Sequence, residues 1–117
     1  MTSDELKEIA KRELLVVWQE GHADAVYKFY AADFVNHNQD PSLPPGREGF
    51  YQAVIDLHRA YKGIQFAVDV LVAEGDLVTR RWTFTASEPK TQLTGIDIMR
   101  VAGGQVVDAW TNTNPVP

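Results

Sequence analysis

Apolar residues recur every three or four positions in the first half of the chain and every second position in the second half. Leu6, Ile9, Ala10, Leu14, Val17 and Trp18 share one stripe of a helical wheel, which predicts an amphipathic first helix. Thr2 followed by Glu5 is a capping-box signature at its start, and Gly21 is a natural stop. Val26, Phe29 and Tyr30 predict a short second helix over 23–31, and 34–38 reads as a short strand. Three prolines within 39–46 exclude both a helix and a central strand, so this stretch is expected to loop over a cavity mouth or the surface. Phe50, Val54, Leu57, His58 and Tyr61 then mark a third helix over 47–61.

From Ile64 onward the period is two. Ile64, Phe66, Val68, Val70 and Val72 share one face of a strand predicted over 64–74. In the next strand, 77–86, Val78, Arg80, Trp82 and Phe84 share one face, while Thr79, Arg81, Thr83 and Thr85 share the other. Runs 92–101 and 105–112, joined through Gly103-Gly104, read as a closing hairpin. Helices followed by a run of antiparallel strands predict an α+β fold with helices on one face of a curved sheet and a cavity between the layers. The other sheet face then needs its own cover, for which a second copy is the expected partner.

Asp97 breaks this pattern. It lies between Ile96 and Ile98 and shares its strand face with Leu93, Gly95, Met99 and Val101. A carboxylate taken out of water is paired, is protonated or faces a wet hollow. Candidate companions are Arg81 and Thr83 on the polar face of the preceding strand, Asn36, His37 and Asn38 on the short strand, His58 on the third helix, Thr111 near the chain end and Trp18 on the first helix. Each also has a structural reading. Arg81 is expected as the partner that neutralises Asp97, His37 as acid/base or as a hydrogen-bonded structural histidine, the asparagines as turn caps, and the tryptophans as packing. Trp110 is expected on the outer, subunit-contacting face.

Composition narrows the function classes. With 117 residues the chain is expected to form a single domain, 1–117. It is 44% hydrophobic and 23% charged, with a net charge of −5 and no basic block, which argues against nucleic acid or an anionic membrane as partner. There is no cysteine, so thiolate ligands and nucleophiles are absent, and the scattered His22, His37 and His58 give no metal-site spacing. Neither a phosphate-binding glycine loop nor a nucleophile elbow occurs, so no metal or cofactor is expected. The chain shows no secretory pattern and no membrane-length apolar run, and a cytoplasmic location is expected.

Four stretches carry a resemblance: 30–38 (YAADFVNHN), 45–50 (PGREGF), 72–78 (VAEGDLV), and 96–101 running on through 104–110 to the C-terminal NPVP. In their order and spacing the chain resembles the nuclear transport factor 2-like superfamily, and within it the SnoaL-like polyketide cyclase group of aldol-condensation enzymes. The resemblance implies a cone-shaped, cystatin-like α+β barrel of three N-terminal helices on a curved, mostly antiparallel sheet. It also implies a deep pocket and a homodimer built on the outer sheet face. The Ile96, Asp97 and Arg100 pattern is similar to that of ketosteroid isomerase, where the matching Asp stays protonated in an apolar site and helps an oxyanion hole. At the position of the isomerase tyrosine this chain has Leu14, and near its base it has Asn38. Where related cyclases carry a catalytic Asp it has Thr111. Related epoxide hydrolases use an Asp-Arg-Asp set. The implied function is a cofactor-independent cyclase, isomerase or dehydratase acting on a small hydrophobic carbonyl compound. Asp97 and His37 would be catalytic, with Asn36, Asn38, Arg81, Thr83, His58, Thr111 and Trp18 around the substrate. A non-catalytic binding module, an epoxide hydrolase-like enzyme and a purely structural dimerisation domain are the alternatives.

Overall fold

The computed structural model describes residues 1–116. Helix α1 (Ser3–Glu13) starts at the expected capping box: the Thr2 side chain accepts from the Glu5 N–H at 3.1 Å, and the Thr2 N–H donates to Glu5 Oε1 at 2.9 Å. The helix widens into a π-helical segment, Leu14–Gln19, and the chain reverses at Gly21, whose φ of 77° is left-handed. The second helix is shorter than the pattern predicts. It comprises a 3-10 turn (Ala23–Ala25) and α2 (Val26–Phe29), because Tyr30 already begins strand β1 (Tyr30–Asn36). So short a helix does not stand alone. Burial of Val26 and Phe29, roughly 1.5–3 kcal/mol each, holds it in place. The 39–46 stretch loops to α3 (Arg47–Ala60) as expected, and His37 and Asn38 lie in the turn before it rather than in the strand.

The remaining strands are β2 (Gln65–Glu74), β3 (Leu77–Ser87), β4 (Lys90–Ala102) and β5 (Gln105–Pro115). They form one five-stranded sheet in the order β1-β5-β4-β3-β2, antiparallel throughout except that β1 runs parallel to β5. The sheet does not close: β1 and β2 are its two edges. The β4–β5 turn places Gly103 and Gly104 at φ 59° and 79°, the pair of positive angles that a two-residue hairpin with native twist requires.

One period-two assignment fails within β2. A bulge between Val68 and Val70 shifts the alternation, so Leu71 and Ala73 turn inward and Val70 and Val72 face out, 50% and 57% exposed. The inner face of the sheet packs against the helices in two apolar groups. Leu6, Ala10 and Val17 meet Val78, Met99 and Val101, while Leu14 meets Trp82 and Phe84. Gly95 has a specific role here. A Cβ on it would lie 2.0 Å from Cζ2 of Trp82, so only glycine lets that indole lie across β4.

Candidate active site

Between the helices and the inner sheet face lies a cavity of about 420 Å³. Trp18, Tyr30, Phe50, Phe66, Trp82 and Phe84 supply its aromatic walls. Gln39, Asp40 and Leu43 sit at its mouth, so the proline-rich loop does border the cavity. Gln39 Nε2 holds that loop by donating to the carbonyls of Asp40 (2.9 Å) and Pro44 (3.1 Å). Asp40 accepts from the Ser42 backbone N–H (2.9 Å) and from its hydroxyl (2.7 Å), and these bonds lower its pKa, so the mouth carries a negative charge.

Three charged side chains are withdrawn from water at the sheet end of the cavity: Glu13 (0% exposed), Arg80 (3%) and Asp97 (4%). Asp97 Oδ2 accepts from Arg80 Nε at 2.8 Å and from Trp82 Nε1 at 2.9 Å, and Oδ1 accepts from Thr111 Oγ1 at 2.7 Å. Arginine Nε and indole Nε1 can only donate, so Oδ2 carries no proton and serves as the acceptor of both. Oδ1 has one protein partner and retains acceptor capacity for a cavity occupant.

Behind Arg80, Glu13 accepts from Arg80 Nη1, from the Tyr30 hydroxyl and from Trp18 Nε1 (2.6 Å). Arg80 Nη1 also donates to the Ala10 carbonyl. Burial on its own pulls the Arg80 pKa down, but the charges of Glu13 and then Asp97 outweigh it and raise that pKa above the ordinary value. No buried side-chain nitrogen or oxygen among the described residues lacks a partner.

Tyr30 gives this network a pH signature. Burial first, and the Glu13 charge second, raise its hydroxyl pKa well above 10.0. Below about pH 10 the folded and unfolded chains both keep the proton, and the contribution is intact. Above that pH the unfolded chain releases it and the folded chain does not, so stability falls by up to about 1.4 kcal/mol per pH unit. Tyr30→Phe should lower stability at neutral pH by about 1.5–3 kcal/mol through the lost bond to a charged acceptor, yet flatten the alkaline decline. Urea titrations at a series of pH values between about 8 and 11 read both effects, and an unchanged alkaline slope would show that Tyr30 is not its source.

The structure brings several of the expected residues together. Asp97, Asn36, Asn38, Thr111 and Trp18 line the cavity. Asn38 Oδ1 accepts from the Thr111 backbone N–H at 2.6 Å, and Asn36 Oδ1 accepts from the Asn38 N–H at 3.0 Å. Both amide oxygens are therefore occupied, and both NH2 groups are the free ends.

Other expected residues lie elsewhere. Arg81 does not neutralise Asp97. It donates to Asp69 Oδ2 at 2.7 Å on the outer sheet face, and Thr83 donates to the same oxygen at 2.7 Å. The partner is Arg80, one residue earlier and therefore on the opposite face. His37 is also outside: its Nε2 lies 2.8 Å from Asp108 Oδ1, and its ring stacks on Trp110 at 4.4 Å. The turn that follows β1 carries it away from its neighbours Asn36 and Asn38, which line the cavity. His58 does not line the cavity. Its Nε2–H donates to the Trp18 carbonyl at 2.7 Å and ties α3 to the π-helical segment. Among the described residues, no three His, Cys, Asp or Glu side chains converge as a metal site would require.

Glu13, Arg80 and Trp82 were not among the candidates, although the signals were present. Glu13 is three residues after Ala10 and four before Val17, in phase with the buried stripe of the first helix. Arg80 and Trp82 stand on the apolar face of their strand.

The fold agrees with known structures. TsrD from Streptomyces laurentii superposes with a TM-score of 0.84 at 19% identity, covering 97% of this chain and 91% of that one. Two proteins, each named a putative polyketide cyclase, are similar as well. The one from Bacillus cereus has a TM-score of 0.86 and 25% identity, covering 94% of this chain and 74% of its own. The one from Acidithiobacillus ferrooxidans has a TM-score of 0.78 and 28% identity, covering 94% and 88%. Comparison with curated proteins found no match. The SnoaL-like polyketide cyclase profile matches residues 8–116, nearly the full chain. With that match over a cavity-bearing α+β fold, the chain belongs to the SnoaL-like polyketide cyclase family.

Proposed function

We propose that the protein is an acid/base enzyme acting on a small hydrophobic, carbonyl-bearing molecule, by aldol-type cyclisation, isomerisation or dehydration. The observation that carries this reading is Asp97 Oδ1, a carboxylate oxygen with acceptor capacity at the edge of an aromatic cavity. In a cyclisation, Oδ1 takes a proton from a carbon next to a carbonyl, and the Asn36 and Asn38 amides donate to the oxygen on which enolate charge gathers. The carbanion then attacks a second carbonyl of the same molecule. A carbon–carbon bond forms, and Asp97 returns the proton to the new alkoxide. Arg80, Trp82 and Thr111 hold the carboxylate in place. Solvent-deuterium exchange into hydrophobic 1,3-dicarbonyl compounds, followed by proton NMR, tests the first step. Enzyme-dependent exchange is expected, and its absence across a broad panel favours the second reading.

That second reading is a ligand-binding module on the same cavity. The observation in its favour is that no second acid/base group meets Asp97, because His37 is on the opposite sheet face. An epoxide hydrolase-like set is less well supported. Glu13, Arg80 and Asp97 have its composition, but Glu13 lies behind the arginine and does not line the cavity.

We also infer that two copies pair through the outer sheet face, in the cytoplasm. Val35, Val70, Val72, Ile96 and Ile98 are exposed there, flanked by the Arg81–Asp69 and Arg100–Asp76 ion pairs. Sedimentation at micromolar concentration should show a dimer that Ile96→Lys dissociates; a wild-type monomer would contradict the inference. No helix among the described residues is long and apolar enough to cross a membrane.

A further inference from the structure

Arg80 holds two carboxylates and still keeps one nitrogen free. Its Nε donates to Asp97, and its Nη1 donates to Glu13 and to the Ala10 carbonyl, but Nη2 has no partner among the described residues. Every buried side-chain nitrogen and oxygen among them has one, so Nη2 is not enclosed by protein. Arg80 is 3% exposed and borders the cavity, so the space that Nη2 meets is the cavity itself. The other donors deep in this wall are taken. Trp18 Nε1 and the Tyr30 hydroxyl donate to Glu13, and Trp82 Nε1 and the Thr111 hydroxyl donate to Asp97. Arg80 is also the only cation among the described residues that line the cavity.

Strand order fixes where this donor stands. Asp97 on β4 is paired with Thr111 on β5 and with Arg80 on β3. Asn38 comes from beyond Thr111, whose backbone N–H it accepts. The asparagine amides and Arg80 Nη2 therefore flank Asp97 on opposite sides. Two edges of the guanidinium are anchored, so Nη2 is a fixed, charged donor in a site poor in water.

We propose that Arg80 is a catalytic residue: its Nη2–H donates to the substrate carbonyl that the carbanion attacks. This rests on the reading of the cavity as an acid/base site and adds the group that stabilises the second step. As the carbon–carbon bond forms, the π electron pair of that carbonyl moves onto oxygen, and Nη2–H holds the resulting alkoxide. The proton that Asp97 took then passes to the alkoxide, and Asp97 is a carboxylate again. Burial alone would loosen the proton of Arg80, but the charges of Glu13 and then Asp97 raise its pKa, so it stays a cation throughout. The enolate oxygen remains with the asparagines on the other side.

The probe is 1-(2-naphthyl)hexane-1,5-dione, which carries an acidic methyl ketone and a second carbonyl placed for ring closure. Its control, 2-hexylnaphthalene, has the same shape without an oxygen. Wild-type protein containing nitrogen-15-labelled arginine is titrated with each and followed by NMR. Arg80 is the one buried arginine among the described residues, so its side-chain protons are the slowest to exchange with water. The dione should move the Nη2 proton signals downfield and leave those of Nη1 near their place, while the hydrocarbon does neither. A dione that leaves Nη2 where the hydrocarbon leaves it overturns the proposal. Arg80→Lys keeps a cation between Glu13 and Asp97 but has no second nitrogen to aim at the substrate. In that variant ring closure of the dione should fall about 100- to 1,000-fold, and at least about tenfold further than deuterium exchange into its methyl ketone. Equal losses in the two rates make Arg80 structural and overturn the proposal. If the variant does not fold, the Nη2 shift in the wild type decides. Contact at Nη2 without deuterium exchange keeps the donor and loses the acid/base reading; exchange with an unmoved Nη2 does the reverse.

Discussion

Replacing Arg80 with methionine should lower the thermal midpoint by roughly 15–20 °C, the equivalent of about 3–5 kcal/mol in a domain of this size. Arg80 is the only counter-charge bonded to both Glu13 and Asp97, and all three are out of water. Methionine fills the volume and leaves two carboxylates buried without a cation, which is the costly way to break such a cluster. The same principle supplies the control. Combining Arg80→Met with Glu13→Leu and Asp97→Leu removes all three charges and should recover most of the loss. Circular-dichroism melts of the single and triple variants read this directly. A single-variant shift under about 5 °C would mean that water reaches the cluster and screens it. Recovery in the triple variant would show that the cluster is kept for what it does at the cavity rather than for stability.

Asp97→Asn should reduce enzyme-dependent deuterium exchange by about 100- to 10,000-fold, the range lost when a positioned general base is removed. Asparagine has nearly the same shape, but its nitrogen cannot accept a proton, and it presents an amide NH2 to donors where both carboxylate oxygens now accept. The stability cost should be smaller than for Arg80→Met, about 1–3 kcal/mol, since Glu13 still pairs with the arginine. Exchange rates per folded molecule separate the two effects. A folded Asp97→Asn protein with wild-type exchange would remove Asp97 from the mechanism.

How far the site could be read from the chain follows from what each residue's signal measures. Asp97 was legible because an acidic residue in an apolar alternating run conflicts with its own surroundings. Asn36 and Asn38 were legible as a pair on one side of the expected strand, but which side lines the cavity was not, and Asn38 reaches it from the turn after β1. Arg80 was on the correct face in the pattern, yet Arg81 looked more natural as a polar site residue because its face carries threonines. The polarity of that face instead marks its exposure to water, and Arg81 finds Asp69 there. The bulge that frees Asp69 costs the β2 pattern its last two inward valines, and no local feature of Val68-Asp69-Val70 announces it.

The sequence by itself determined the succession of helices and strands, the hairpin at Gly103-Gly104, the capped start of α1 and the buried face that carries Asp97. These are set by periodicity and by turn chemistry, which act over a few residues. Only the tertiary structure decided which charges meet. Glu13, Arg80 and Asp97 lie 67 and 17 residues apart in successive pairs, on a helix and two neighbouring strands. Their contact depends on strand register and on how the helix lies across the sheet. It is also a long-range balance, because none of the three is stable in its buried place until the other two are there.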